Sequence, residues 1–261
     1  MEHLDLDLPK LWDGCNLAAF VEHDDFAERP DNSDDGFPPV VWWGTSPYGT
    51  GMTQGDTRLL DAVEAFNAIP AHLRAGVWQR LCFREGLDAR EAHRRARREG
   101  LTAHEARVHL LDEHHDDLNR SDRYDLALWL WSQHPDVAVA EFSTDRSSGA
   151  VASLPDWLQA TGLTPAPGRK GNGSRADRVR DMQAHADVFK AWLECECYQV
   201  SILCFPEGAD VTDPDDASAT FDCCGGFYGW DHDKSGLVAA ARELAAEIVA
   251  RTNAERAPQP A

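Results

Sequence analysis

Lysine is scarce in this chain: Lys10, Lys170, Lys190 and Lys234 are the only four among 25 basic residues, and those 25 face 45 acidic ones. The formal charge of −20 gives an average field that repels nucleic-acid phosphates and anionic membrane surfaces. No apolar run approaches the ~20 residues that span a bilayer. The first residues lack the basic-then-apolar order of a secretion signal, so a cytoplasmic location and no membrane partner are expected. The seven cysteines are an odd number without Cys-x₂₋₄-Cys knuckles, and in the cytoplasm they are expected to be reduced. There is no His-Glu-x-x-His, and Thr50 stands where a phosphate loop spaced like Gly44–Gly51 needs lysine. Nucleotide binding is therefore rejected there.

Against these absences stand 261 residues, 43% of them hydrophobic, with nine tryptophans. That composition supports a substantial core as one large domain or two ordinary ones and excludes wholesale disorder. Residues 1–54 are rich in Pro, Gly and Asp. Within them the run 16–20 reads as a short helix and 39–43 as a strand ended by a wide turn. Apolar spacing predicts helices over about 56–68 and 71–83, burying Leu59, Leu60, Val63, Phe66, Leu73, Val77, Trp78 and Leu81.

A short repeat follows. Arg84-Glu85-Gly86-Leu87-Asp88 is echoed by Arg98-Glu99-Gly100-Leu101-Thr102, and Glu91 and Glu105 each stand three residues after the Asp88 and Thr102 caps. Two capping boxes predict two helices, to about Arg97 and about Asp116. The repeat resembles helix starts common in helix-turn-helix modules and lies in the most basic part of the chain, nine arginines between Arg74 and Arg107. Two readings stand side by side: solvated arginine faces, or a DNA contact through Arg84–Arg107. His109, Asp112 and Glu113 share a helix end with His114 and His115. A polar helix end is the preferred reading and a metal site the alternative. The segment 123–134 predicts a buried helix and 137–142 a short strand.

Residues 146–176 carry Gly, Pro and Ser clusters and read as a linker with one short helix inside. Beyond it, a helix over 175–193, strands over 195–205 and 217–224, and a helix over 234–249 make a helix-strand-strand-helix module. The expected fold class is α+β: a mostly helical N-terminal region with a small strand element (1–145), the linker, an α+β module (177–252) and a disordered tail (253–261).

The most crowded stretch is Phe221–Leu237, which packs Cys223, Cys224, Gly225, Gly226, Phe227, Tyr228, Gly229 and Trp230 before Asp231-His232-Asp233-Lys234-Ser235-Gly236-Leu237. With Tyr198, it resembles the C-terminal part of a group of phage- and plasmid-encoded proteins of uncharacterised activity. Their second strand finishes Asp-Ser-Cys-Trp-Gly-Phe-Tyr-Gly, and their last helix begins Lys-Ser-Gly-Leu. The likeness covers about the last 75 residues; Cys223 replaces their Ser, Gly225 replaces their Trp, and their upstream Cys-Pro-Trp-Asp-Ser-Gly has no counterpart here. The resemblance implies a mobile-element context, and some such proteins are described as antirestriction factors.

Three functions follow as expectations. The first is a non-enzymatic interaction protein whose partner is a protein, in one version an acidic mimic of DNA, acting through Tyr228, Trp230, Asp231 and His232. The second is a zinc- or thiol-dependent enzyme, with Cys195, Cys197, Cys223 and Cys224 as ligands or Cys224–His232 as a nucleophile pair. Core packing of the thiols without any cofactor is the simpler reading. The third is DNA binding through Arg84–Arg107.

Overall fold

The computed structural model describes residues 1–11, 14–32, 36–46, 49–161 and 174–256. The fold is α+β, with two compact units: Met1–Asn32 together with Ala191–Ala261, and Ser33–Lys190. No described helix is long and apolar enough to cross a membrane.

The chain opens with β1 (Glu2–Leu4) and β2 (Asn16–His23). The helix expected over 16–20 is thus a strand. Leu17 to Val21 are all buried, because both faces of β2 are covered. A continuous apolar run of this length fits a buried strand as well as a helix. The chain then enters the second unit with β3 (Val40–Ser46) and β4 (Gly49–Gly55); the wide turn expected over 44–51 is corrected, since 44–46 and 49–51 belong to the strands, and 47–48 lie outside the described residues. Asp56 and Asp61 cap a 3₁₀ turn at Thr57–Leu60 and α1 (Ala62–Ala68). Next come α2 (Ala71–Glu85), α3 (Ala89–Glu99), α4 (Ala103–Asp117) and α5 (Arg120–Ser132). Both repeat helices form where their caps predict. Thr102 and Glu105 make the full reciprocal box on α4, whereas Asp88 caps α3 without one. Gly86 and Gly100, at φ +68° each, end the helices before them.

Two more strands, β5 (Val139–Ser143) and β6 (Ser147–Ala152), complete a sheet of order β4-β3-β6-β5, all antiparallel. Here the linker expected over 146–176 is corrected: 147–152 is an interior strand, and α6 (Pro155–Ala160) follows. Its small residues look like linker chemistry, but they serve close packing. A Cβ on Gly149 would strike the Phe142 ring and the Val41 carbonyl oxygen. Residues 162–173 lie outside the described residues. Alternation along β3 sends Val41 into the helical core with Phe66, Leu81, Leu126 and Trp131. It sends Trp42 to the other face, where Phe189 of α7 (Arg175–Leu193) lies 5.0 Å from it and 5.5 Å from Phe142.

The first unit resumes with β7 (Cys197–Phe205), β8 (Ala219–Tyr228) and α8 (Leu237–Arg256). Its sheet has the order β1-β2-β7-β8, again antiparallel. The N-terminal segment is therefore part of the C-terminal module, and the expected 1–145 and 177–252 division gives way to a unit built from both chain ends. Leu237, Ala241, Ala245 and Ile248 form the stripe of α8 that packs on Leu17, Ala19, Val21, Val200, Ile202 and Cys204. Phe20, Leu203 and Phe205 occupy the opposite face with Ala209, Val211 and Ala217. Helix α8 continues to Arg256, so 253–256 are helical rather than tail; 257–261 lie outside the described residues.

Phe189 is fully buried against Phe37, Trp42 and Phe142. Phe189→Ala should destabilise the 33–190 unit by about 3–5 kcal/mol, read as faster hydrogen exchange of the β3 and β6 amides. Unchanged protection of those amides would contradict this packing.

Candidate functional site

The stretch 221–237 folds as an edge strand, its exit and the start of α8. Strand β8 is not a regular ladder. Tyr198 pairs with Phe227 and Val200 with Cys224, so two steps on β7 meet three on β8. The same slip recurs between Ile202↔Asp222 and Leu203↔Thr220. Each slip is a bulge with one extra residue on β8. Bulges on an edge interrupt the row of free backbone donors and acceptors that another strand would pair with. They also turn side chains outward, leaving Phe221 exposed.

The glycines of the motif answer a specific demand. Asp24, directly after β2, takes the Phe26 amide on Oδ1 and the Gly226 amide on Oδ2, each at 3.1 Å. A Cβ on Gly225 would lie 2.5 Å from Asp24 Oδ2. Gly226 has φ +83°, the left-handed region glycine adopts without penalty. A side chain at 225 would therefore have to push aside the Asp24 carboxylate that holds the Gly226 amide. A second tie runs alongside: the Tyr228 hydroxyl donates to the Glu28 carbonyl at 2.9 Å.

These ties bind the turn 24–28 to the end of β8, and two large apolar side chains stand on the joined segments. Phe26 is 93% exposed and Trp230 is 72% exposed. Asp25 and Glu28 flank the first and Asp231 and Asp233 the second. The acidity is concentrated in this unit. Residues 1–32 and 191–261 carry 22 acidic and 6 basic residues, a formal −16, against 23 and 19, or −4, over 33–190.

Of the four residues expected to present a surface, Trp230 is exposed and the other three are half-buried and engaged with other neighbours. Tyr228 is half-buried and tied to Glu28. Asp231 accepts the Lys234 amide at 3.2 Å and its ammonium at 2.7 Å. The Lys234 side chain holds the Asp231 carboxyl below the usual carboxylate range. His232 packs edge-on against Tyr198 at 4.9 Å, and its carbonyl takes the Val238 amide at 3.2 Å. Phe26 escaped sequence reasoning; its one signal was an aromatic residue set among Asp24, Asp25 and Glu28.

The thiols do not converge. Cys197 pairs with Tyr228, Cys223 with Ser201 and Cys224 with Val200, which spreads them along the ladder. Cys195 sits in the turn before β7 at φ +60°, a conformation better suited to glycine after a helix. Among the described residues no three His, Cys, Asp or Glu side chains gather to hold a metal ion. Burial, with Asp24 next in effect, pushes the Cys197 thiol up to about 12, which keeps it protonated and unreactive. Cys204 packs in the α8 core. Cys224 is exposed with its Sγ 3.9 Å from the Gly225 carbonyl, while the His232 ring sits on Tyr198. At the α4 end, Glu113 accepts both terminal nitrogens of Arg95 at 2.8 Å.

The arginines of the helical repeat are largely engaged nearby. Arg94 bridges Asp88 and Glu91, Arg95 bridges Glu99 and Glu113, Arg98 meets Glu91 and Arg84 meets Glu85. Arg74 spends its donors on the Ile69 and Asn67 carbonyls. The four acid-paired arginines contribute less to the positive field that phosphate binding needs.

No protein-family model matches the chain, and neither a curated protein nor a solved structure matches it. The reading of this surface rests on its geometry and charge.

Gly225→Ala should lower the stability of the sheet unit by about 1–3 kcal/mol, since the new methyl must displace Asp24; a denaturation midpoint equal to the parent would contradict the clash. At pH 8, the exposed Cys195, Cys223 and Cys224 should react with a disulfide reagent in the native protein, while Cys197 and Cys204 react only on unfolding. Prompt modification of Cys197 would overturn its placement.

Proposed function

We propose that this protein is a non-enzymatic interaction module that captures a basic protein surface. The contact is made through Phe26 and Trp230, with carboxylates around them. One observation carries the reading: two aromatic side chains, 93% and 72% exposed, stand on segments joined by the Asp24–Gly226 and Tyr228–Glu28 hydrogen bonds. Single exposed apolar residues are ordinary, but grouped ones rimmed by polar residues mark interaction sites. Aromatic anchors carry most of the energy of such contacts. The −16 of the surrounding unit supplies long-range attraction for a cationic partner and speeds encounter.

DNA-binding proteins are the partner class with the most strongly basic surfaces, so an acidic competitor for the DNA site of a restriction endonuclease or similar protein is the specific form we favour. A mobile-element role follows from that form. Zinc-dependent or thiol catalysis and direct DNA binding are weaker alternatives: the first lacks converging ligands among the described residues, and in the second four of the nine arginines are paired with local acids.

Binding to a basic DNA-binding protein, a restriction endonuclease first, should weaken by an order of magnitude or more between about 50 and 300 mM salt. Phe26→Ser with Trp230→Ser should weaken it at least tenfold at fixed salt with unchanged helical content. Salt-independent binding, or full affinity in the double variant, would contradict the proposal.

A further inference from the structure

In the 33–190 unit, α2, α3 and α4 meet around a cavity of about 270 Å³. Helices α2 and α3 each contribute one face at i, i+3 and i+4 spacing, and α4 contributes Ala103 and Arg107 at i and i+4. Ala92 is buried at the cavity floor, and Ala75, Ala89 and Ala103 stand at the exposed rim, where leucine-sized side chains would close the gap. Trp78 forms the aromatic part of the lining, and Gln79, His93 and Arg107 supply its polar part.

Arg107 is the unusual member. Its guanidinium lies over the Trp78 ring, 5.9 Å from the centroid. Among the described residues no carboxylate stands within ion-pair distance of it, and no hydrogen-bond acceptor meets it. Arg94 and Arg95 on α3, by contrast, each engage two acids. Burial, Arg74 and Arg107 hold the pKa of the neighbouring His104 below the ordinary histidine value. The cavity thus presents a half-buried cation with open donors above an apolar lining.

We propose that this cavity binds a small monocarboxylate bearing one ring or a short acyl chain, with the carboxylate on Arg107. A planar guanidinium matches a carboxylate with two parallel N–H···O bonds. The four alanines and Trp78 take the apolar body, and the side chains of Gln79 and His93 offer further donors. The volume lies just below the ~300–1,000 Å³ of drug-sized sites, which suits a single ring or a chain of a few carbons rather than a nucleotide. The chain's net negative charge is screened beyond ~8 Å at physiological salt, so it leaves this contact in place. The site is independent of the aromatic surface on the other unit.

The test is titration of the full chain, followed by amide chemical shifts, with phenylacetate, hexanoate, phenyl phosphate and inorganic phosphate as separate probes. Phenylacetate or hexanoate should give saturable shifts confined to residues 75–79, 89–93 and 103–107. Arg107→Gln should weaken binding about tenfold or more. Ala89→Leu, at an exposed position, should block it without loss of helical content. Should Arg107→Gln fail to fold, Arg107→Lys keeps the charge, loses the fork and should still weaken binding. The proposal is overturned if neither carboxylate saturates the site by about 10 mM, if binding survives both Arg107 changes, or if only the phosphate probes bind.

Discussion

The antiparallel pairing of β2 with β7 joins two ends of the chain that sequence order keeps far apart. Eight consecutive pairs, from Asn16↔Phe205 to His23↔Tyr198, form the middle of the sheet. Closing so long a loop is entropically unfavourable, though the penalty grows only slowly with length. Burial on both faces offsets it: Leu17, Ala19 and Val21 under α8, Ala18 and Phe20 on the other side. Because the pairing stops at His23 and Tyr198, Asp24 emerges beside the Gly225–Gly226 bulge. The Asp24 carboxylate then fixes both the turn that carries Phe26 and the strand end that leads to Trp230. Position, charge and exposure of the proposed surface all descend from that register.

The same geometry separates two ways an edge strand recruits partners. A long unpaired edge invites another strand through its backbone. Here two bulges leave only Asp222 to Cys224 in regular pairing between them, so the proposed recognition uses side chains at the strand's end. Concentrating −16 of the −20 charge in this unit suits the cationic partner of the proposal and disfavours, by like-charge repulsion, a second copy of the same surface. In the arginine-rich helices of the other unit, Arg84, Arg94, Arg95 and Arg98 pair with acids on the same helices or their neighbours.

What was legible in the sequence was what local chemistry decides. Asp88 and Thr102 start α3 and α4, the apolar spacing of 71–83 yields α2, and 175–193 folds as α7 over its whole predicted length. Long-range contacts were not legible. The run 16–20 is apolar throughout, and only its place between two covered faces makes it a strand. Ser147–Ala152 reads as linker until Gly149 is seen pressed between Phe142 and the Val41 carbonyl. At the candidate site, the glycine pair announced a tight exit, but its partner Asp24 lies 202 residues from Gly226 and no spacing rule connects them. Trp230 was visible as an aromatic beyond the strand; Phe26 became meaningful only once the two segments were joined.

The central claim is that residues 24–28 and 226–233 act as one docking surface. Amide chemical-shift mapping of the full chain against a basic DNA-binding protein tests it most directly. The account predicts perturbations at Asp25–Glu28 and at Gly229–Asp233 together, fading as salt is raised. Perturbations in only one of the two segments, or centred on α3 instead, would contradict it.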